Sequence, residues 1–353
     1  MLSLFILLLL SITSILTSSS STSSSSTALD IKNESDNNKD ILLTLLKKVA
    51  GVYNDVNKQQ GLEKTVLITA CNHGFINHLK NFKCFADRLD MKFLVFAMDN
   101  AAHKYITEST TMLSYNMGKG AVGGVTEGST TFRSKQFNMI TAKKKEAVHD
   151  ILLLGYNVIF TDTDVAIVRD PFKYMLWDNV DYVHSLNTNC KEEDTWTFRK
   201  SKEEGNTGFY FVRSNNMTIK LWQDAYEAAP KHPRLDDQAI FWNVIRRSVD
   251  PPILPLGTCK HYNNRNEVTR RELTTCYLDT CVFSSGMLSN KWVPEYTYDT
   301  LLQNVRKRNE SICSIHANYI SGNQNKKEMM KVHGFWLADE TSNKCLEFNA
   351  TIS

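Results

Sequence analysis

Two carboxylates one residue apart, Asp162 and Asp164, follow directly on the apolar, β-prone run Val158-Ile159-Phe160-Thr161. A buried strand that ends in Asp-Thr-Asp can deliver both side chains to one strand end. Hard oxygen donors placed there suit Mn²⁺ or Mg²⁺, which keep open positions for phosphate oxygens. A cation so held stabilises charge on a departing diphosphate. Asp-x-Asp also punctuates ordinary turns, and its place after an apolar strand is what points to metal here. A third ligand has to come from elsewhere. His316 closes the β-prone run 312–316 and is the candidate, the alternative being a structural hydrogen-bonding histidine. Two further groups carry polar chemistry. Asn206-Thr207-Gly208 opens a strand, and Asp236-Asp237-Gln238 opens a helix. An Asp at a helix start is commonly a cap, so Asp236 is assigned that role. Asp237 and Gln238 are left as the catalytic candidates, facing the sugar or the acceptor.

These residues need a scaffold, and the sequence supplies one. Residues 65–71 form a continuous apolar run, the mark of a strand buried on both faces. A helix over 75–89 and a second strand over 92–98 follow, giving a βαβ unit and hence a parallel pairing. Residues 114–131, rich in Gly, Ser and Thr, read as a loop. A helix ending at Gly155 then leads into the Asp strand. Further strands are expected at 182–186, 208–213 and 312–316, and helices at 219–229 and 236–246. The fold class is α/β: one large domain, 41–349, with a mostly parallel central sheet flanked by helices. Ligands of such folds bind beyond the carboxyl ends of the strands. That rule nominates Thr69, Ala70 and Asn72 at the exit of the first strand, and Asp99 after the second, for the nucleotide, although Asp99 also reads as a turn residue. Gly118-Lys-Gly-Ala-Val-Gly123 matches a dinucleotide fingerprint, but the residues before and after it fit the required strand and helix poorly, so an NAD site is set aside.

The chain has 353 residues, 42% hydrophobic and 22% charged, with a formal net charge of +3. Wholesale disorder, a polytopic membrane protein and a nucleic-acid surface are thereby excluded. Residues 1–17 are apolar but short and interrupted by Ser11, Thr13 and Ser14, which fits a signal peptide or a retained short membrane anchor. Residues 18–40 are rich in Ser and Thr and then polar, and are expected to form a flexible stem. Four glycosylation sequons, at Asn33, Asn216, Asn309 and Asn349, and eight cysteines without zinc spacing fit an oxidising lumen. The expected location is the secretory pathway, as a single-pass Golgi membrane protein or a secreted one. Most cysteines outside Cys71 are expected to be paired, with the connectivity open.

The ordered set of motifs resembles a known family. Residues 132–144, then Leu154-Gly-Tyr-Asn-Val-Ile-Phe-Thr-Asp-Thr-Asp-Val165, Arg169-Asp-Pro-Phe172, Asn206-Thr-Gly-Phe-Tyr-Phe-Val-Arg213 and Leu235-Asp-Asp-Gln-Ala-Ile-Phe-Trp-Asn243 are similar to the nucleotide-diphospho-sugar transferases of glycosyltransferase family seventy-seven. The resemblance implies a GT-A fold, a nucleotide-sugar donor that is UDP-linked, a glycan or glycoprotein acceptor, an Mn²⁺-like metal, and retention of anomeric configuration by a front-face displacement that needs no enzyme nucleophile. It implies a metal shell of Asp162, Asp164 and His316. For the donor it implies contacts from Arg133, Lys135, Thr163, Asn206, Gly208, Gly322 and one of Lys326 and Lys327. A carbohydrate-binding protein that kept the fold without turnover is the alternative.

Overall fold

A computed structural model of the chain describes residues 24–51, 62–118, 135–175, 180–192, 205–248, 259, 273–286, 295–339 and 341–348. The segment expected to be a signal or anchor, the tip of the Gly-rich loop and Arg133 lie outside these residues. By contact, the chain divides into Met1–Leu42 and Leu43–Ser353. Helix α1, Ser24–Val49, begins well before residue 41, where the folded domain was expected to start. Most of the expected stem is therefore helical where it is described. No Gly or Pro interrupts residues 24–49, and each residue added to an existing helix gains a hydrogen bond. Among the described residues no helix is long and apolar enough to cross a membrane.

Strand β1, Thr65–Cys71, is buried at all seven positions. It pairs in parallel with β2, Leu94–Ala97, on one side and with β4, Asn157–Thr161, on the other. Helix α2, Ile76–Arg88, links β1 to β2. Helix α3, Asn100–Ser109, links β2 to the edge strand β3, Leu113–Asn116. Helix α4, Lys135–Leu153, ends at Gly155, whose φ of +78° suits a residue without Cβ, and the chain enters β4. Along the sheet the order β3-β2-β1-β4 reverses direction of growth between β1 and β4. A ligand crevice is therefore expected at the carboxyl ends of those two strands.

Beyond β4 the pairing changes. Strand β7, Gly205–Val212, runs antiparallel to β4 and to β6, Tyr182–Leu186, while β8, Thr275–Tyr277, is parallel to β6. The sheet remains mostly parallel, as expected. Helices α6, Asn216–Ala228, and α7, Asp237–Ser248, follow β7. The short helix α5, Phe172–Met175, precedes β6.

A second sheet of three short strands orders β5, Val165–Ile167, beside β10, Ser314–His316, and β9, Phe283–Ser285. Alternate residues of β5 face different cores. Val165 and Ile167 join the main-sheet core with Ile159 and Phe209. Ala166 packs with Ile315 and with Leu301, Val305, Met329 and Met330 from α8, Tyr298–Lys307, and α9, Asn323–Val332. Disulfides join Cys84 to Cys345, Cys190 to Cys281 and Cys259 to Cys276. Cys71 and Cys313 are free and buried.

Candidate functional site

The metal-ligand candidates meet because of the second sheet. The Asp162-Thr-Asp164 turn connects β4 to β5, and β5 pairs antiparallel with β10 so that Val165 lies opposite His316. The Ala317 N–H also donates to the Asp164 carbonyl at 3.0 Å. His316 Nε2 thereby stands 3.4 Å from Asp164 Oδ1 and 3.9 Å from Asp162 Oδ2. One donor atom from each residue falls within 4.8 Å of the other two. Two carboxylate oxygens and one imidazole nitrogen form a donor set fit to hold a divalent metal ion. Gly208 keeps this space open: a Cβ there would lie 2.6 Å from Asp162 Oδ2 and 2.5 Å from His316 Cε1.

Two lysines hold the carboxylates. Lys144 Nζ, from α4, donates to Asp162 Oδ1 at 2.6 Å, and Lys326 Nζ, from α9, donates to Asp164 Oδ2 at 2.5 Å. Burial raises the Asp164 pKa, but the Lys326 ammonium and the His316 imidazole outweigh it and hold the carboxyl well below its usual range. Burial works against the charge on Lys144 too, and Asp162, with Asp237 and Asp164, more than compensates. The neighbouring Lys145 differs. Its Nζ lies 3.4 Å from Asp237 Oδ2, its side chain is only 3% exposed, and burial keeps its pKa below the ordinary lysine value.

The opposite wall is the start of α7. Asp236 is the cap it was expected to be, with Oδ1 accepting from the Ala239 N–H at 2.9 Å. Asp237 Oδ2 also accepts from Thr207 Oγ1 at 3.1 Å, and Gln238 Oε1 accepts from Asn187 Nδ2 at 3.1 Å. A single cavity of about 530 Å³ joins the two walls. Of the expected residues, Ala70, Asn72, Asp162, Thr163, Asp164, Asn206, Gly208, Asp237, Gln238, His316, Gly322 and Lys326 line it.

Three expected donor contacts do not line it. Thr69 is buried within β1, because alternation along a strand sends residues 70 and 72 to the other face. Asp99 caps α3: it accepts from the Ala102 N–H at 2.7 Å and the His73 N–H at 2.9 Å, one strand away from the reversal point. Lys327 stands over the Trp336 ring, its Nζ 5.5 Å from the centroid, because one step along α9 turns it away from the face that presents Lys326. Of the two lysine candidates, Lys326 is the one that lines the cavity. Lys135 opens α4, and its side chain lies outside the described residues.

Lys144, Asn187 and Asn318 line the cavity and Lys145 stands behind Asp237, and the sequence reading did not assign them. Lys143-Lys144-Lys145 reads as a solvated charge run. The signal was that Lys145 sits on the buried stripe of Thr141, Val148 and Leu152 at helical spacing.

A family model described as nucleotide-diphospho-sugar transferase matches residues 88–330. A UDP-galactose:fucoside α-3-galactosyltransferase of Dictyostelium discoideum is 24% identical over 82% of this chain and 45% of its own length. A β-arabinofuranosyltransferase of Arabidopsis thaliana is 26% identical over 80% of this chain and 49% of its own. The chain thus spans about half the length of these relatives. A UDP-D-xylose:L-fucose α-1,3-D-xylosyltransferase of Arabidopsis thaliana is 26% identical over 59% of this chain and 52% of its own length. Among solved structures, the glycosyltransferase GlyE of Streptococcus pneumoniae covers 76% of this chain and 59% of its own at 9% identity and a TM-score of 0.43. With a family model spanning the Asp turn, the amide-rich strand β7 and the lysine of α9, the chain belongs to the nucleotide-diphospho-sugar transferases.

Proposed function

We propose that the chain transfers a sugar from a UDP-linked donor to a hydroxyl of a glycan or glycoprotein, with retention of configuration. The proposed cofactor is Mn²⁺ or Mg²⁺, and the proposed site is the lumen of the secretory pathway, as a Golgi or secreted protein. One observation carries this reading: a single cavity is walled on one side by the Asp162, Asp164 and His316 donor set with Lys326 and on the other by Asp237 and Gln238. A bound divalent cation would supply positive charge to the donor's diphosphate.

The chain's own residues do the rest. Lys144 and Lys326 are ammonium groups already aimed into the cavity wall, suited to phosphate oxygens as point charges. Asp237, fixed by Lys145 and Thr207, offers an acceptor for a sugar hydroxyl. The buried strand ends and the absence of side-chain volume at Gly208 bring diphosphate and sugar close to the carboxylates. Relatives named for UDP-galactose and UDP-D-xylose favour UDP, and their fucoside and L-fucose acceptors belong in the first acceptor panel. The exposed sequon residues Asn216 and Asn309 and the three disulfides favour an oxidising lumen.

The test is nucleotide release from UDP-galactose, UDP-xylose, UDP-arabinofuranose and UDP-glucose, with Mn²⁺ and with a chelator, against fucosides and other glycosides. Metal-dependent release from at least one donor is expected. A folded protein that binds UDP but releases none would overturn the transferase reading in favour of a silent carbohydrate-binding one.

A further inference from the structure

Four carboxamide side chains line up beside the cavity, and two backbone N–H groups set the direction of the whole series. The Gly208 N–H donates to Asn206 Oδ1 at 2.7 Å, and the Gly286 N–H donates to Asn318 Oδ1 at 2.5 Å. A backbone N–H can only donate, so each of these amides must turn its oxygen toward the glycine and its amino group the other way. Both amino groups converge on one atom: Asn206 Nδ2 and Asn318 Nδ2 donate to Asn187 Oδ1 at 2.8 and 3.1 Å. Asn187 therefore has its amino group left to give, and Nδ2 donates to Gln238 Oε1 at 3.1 Å. The Asn187 carbonyl accepts from Tyr319 Oη at 3.0 Å, which steadies its backbone.

The orientation of Gln238 follows from this series. Its oxygen accepts from Asn187, which fixes the flip of the amide, and the donors it has for a ligand in the cavity are those of its amino group. We infer that the Asn206–Asn318–Asn187 relay fixes Gln238 as a hydrogen-bond donor to an oxygen of the sugar unit, with Asn187 as the positioning residue that sets this polarity. The inference rests on the sugar-transfer reading of the cavity. Asp237 beside it is an acceptor only, so the start of α7 presents one acceptor and one donor, which two neighbouring sugar hydroxyls match. A relay anchored on two backbone N–H groups holds the Gln238 amide in one orientation, and a donor held in place costs little reorganisation when substrate binds.

Asn187→Asp tests the polarity. The introduced carboxylate still accepts from Asn206 and Asn318 but repels Gln238 Oε1, so the Gln238 amide turns over and presents oxygen to the cavity. Asn187→Ala merely frees Gln238. With the donor that turns over in the panel, kcat should fall about 100-fold in Asn187→Asp and about tenfold in Asn187→Ala, with the donor KM within about threefold of wild type. A packing role predicts the opposite order, because Ala leaves a void and Asp is isosteric. Asn187→Ala losing as much as Asn187→Asp, or more, would overturn the inference. A ligand-free measurement separates this from failure of the transferase reading. In protein labelled with ¹⁵N-glutamine, the Gln238 side-chain amide should shift and its proton exchange should slow in Asn187→Asp, whether or not any sugar nucleotide is bound. If Asn187→Asp does not fold, wild-type protein serves: the same amide signal should move on adding the productive UDP-sugar and not on adding UDP alone. An unmoved signal in either experiment would overturn the relay.

Discussion

The two walls of the cavity are built from opposite materials. At the strand ends, Asp162, Asp164 and His316 are gathered from separate segments and balanced by Lys144 and Lys326, so charge meets charge. At the start of α7, Asp237 leans on one deeply buried lysine and a hydroxyl, and Gln238 on a chain of neutral amides. Ion pairs of the first kind are exchangeable: a cation held by Asp162 and Asp164 would take over the charge that Lys144 and Lys326 now balance, and would leave those lysines for phosphate oxygens. The second wall has less freedom, since its partly buried bonds tie side chain to side chain in a series anchored on the Gly208 and Gly286 N–H groups. One wall is arranged to change on binding and the other to hold geometry.

The largest effect should come from breaking the exchangeable wall. Asp164→Asn keeps size but removes the charge that balances a divalent cation, and transfer should fall by about a thousandfold or more with the fold intact by circular dichroism. Added Mn²⁺ should rescue it poorly. Full activity of a folded Asp164→Asn protein in chelator would refute the metal role. Lys145→Met probes the rigid wall. It removes the buried cation beside Asp237, and kcat should fall about 100-fold without any rescue by Mn²⁺, which measures whether the two walls act independently. His316→Ala should cost less, about tenfold to 100-fold, since water can replace a neutral ligand. Raising Mn²⁺ should restore much of that loss by mass action. If Mn²⁺ rescues Lys145→Met as well as His316→Ala, the division between the walls is wrong.

How much of this the sequence disclosed also divides along the same line. The exchangeable wall was legible because an apolar run ends in Asp162-Thr-Asp164 and a β-prone run ends in His316. The strands at 65–71 and 182–186 were legible for the same reason, their burial being continuous. The edge strand β3 was missed: its four residues are only half-buried and lie in a polar stretch. Of the second sheet only β10 was expected, within 312–316, and β5 and β9 were missed because three-residue strands carry no measurable periodicity. The antiparallel placement of β7 depends on partners far away in sequence. The rigid wall was legible at Asn206, Asp237 and Gln238. Lys145 was hidden in a run of three lysines, and the amide relay joins Asn187, Asn206, Gln238 and Asn318, which no local pattern connects. Charge next to a strand is a local signal, whereas neutral amides become a network only in three dimensions.

The smallest effect tests how dry the rigid wall is. His184 lies beneath α7, fully buried, with its ring stacked 5.2 Å from Tyr182 and edge-on 5.2 Å from Trp242, whose Nε1 donates to the Gly205 carbonyl at 2.7 Å. Among the described residues its Nε2 has no hydrogen-bond partner, and Nδ1 lies 3.1 Å from the Ser185 carbonyl. A Cβ on Gly205 would lie 2.2 Å from Nδ1, so the ring has no room to swing toward that strand. Burial brings the His184 pKa down to about 4, against a smaller opposing pull from the Ser185 carbonyl. The folded protein therefore resists a proton that the unfolded chain accepts at about 6.5. Between those values the unfolded state binds more protons, so stability is full above about pH 6.5 and declines as pH falls toward about 4. The loss attributable to this one ring should approach roughly 3 kcal/mol, taking about 1.4 kcal/mol for each pKa unit. His184→Phe removes the titrating group while keeping an aromatic ring among aromatic neighbours. Urea unfolding at pH 7 and pH 4 should show a smaller decline in midpoint for the variant than for wild type. His78, also buried and held at about 4, keeps its own share of the decline in both proteins. An identical decline in the two would mean that water reaches His184 in solution, and that the wall behind Gln238 is softer than its bonds imply.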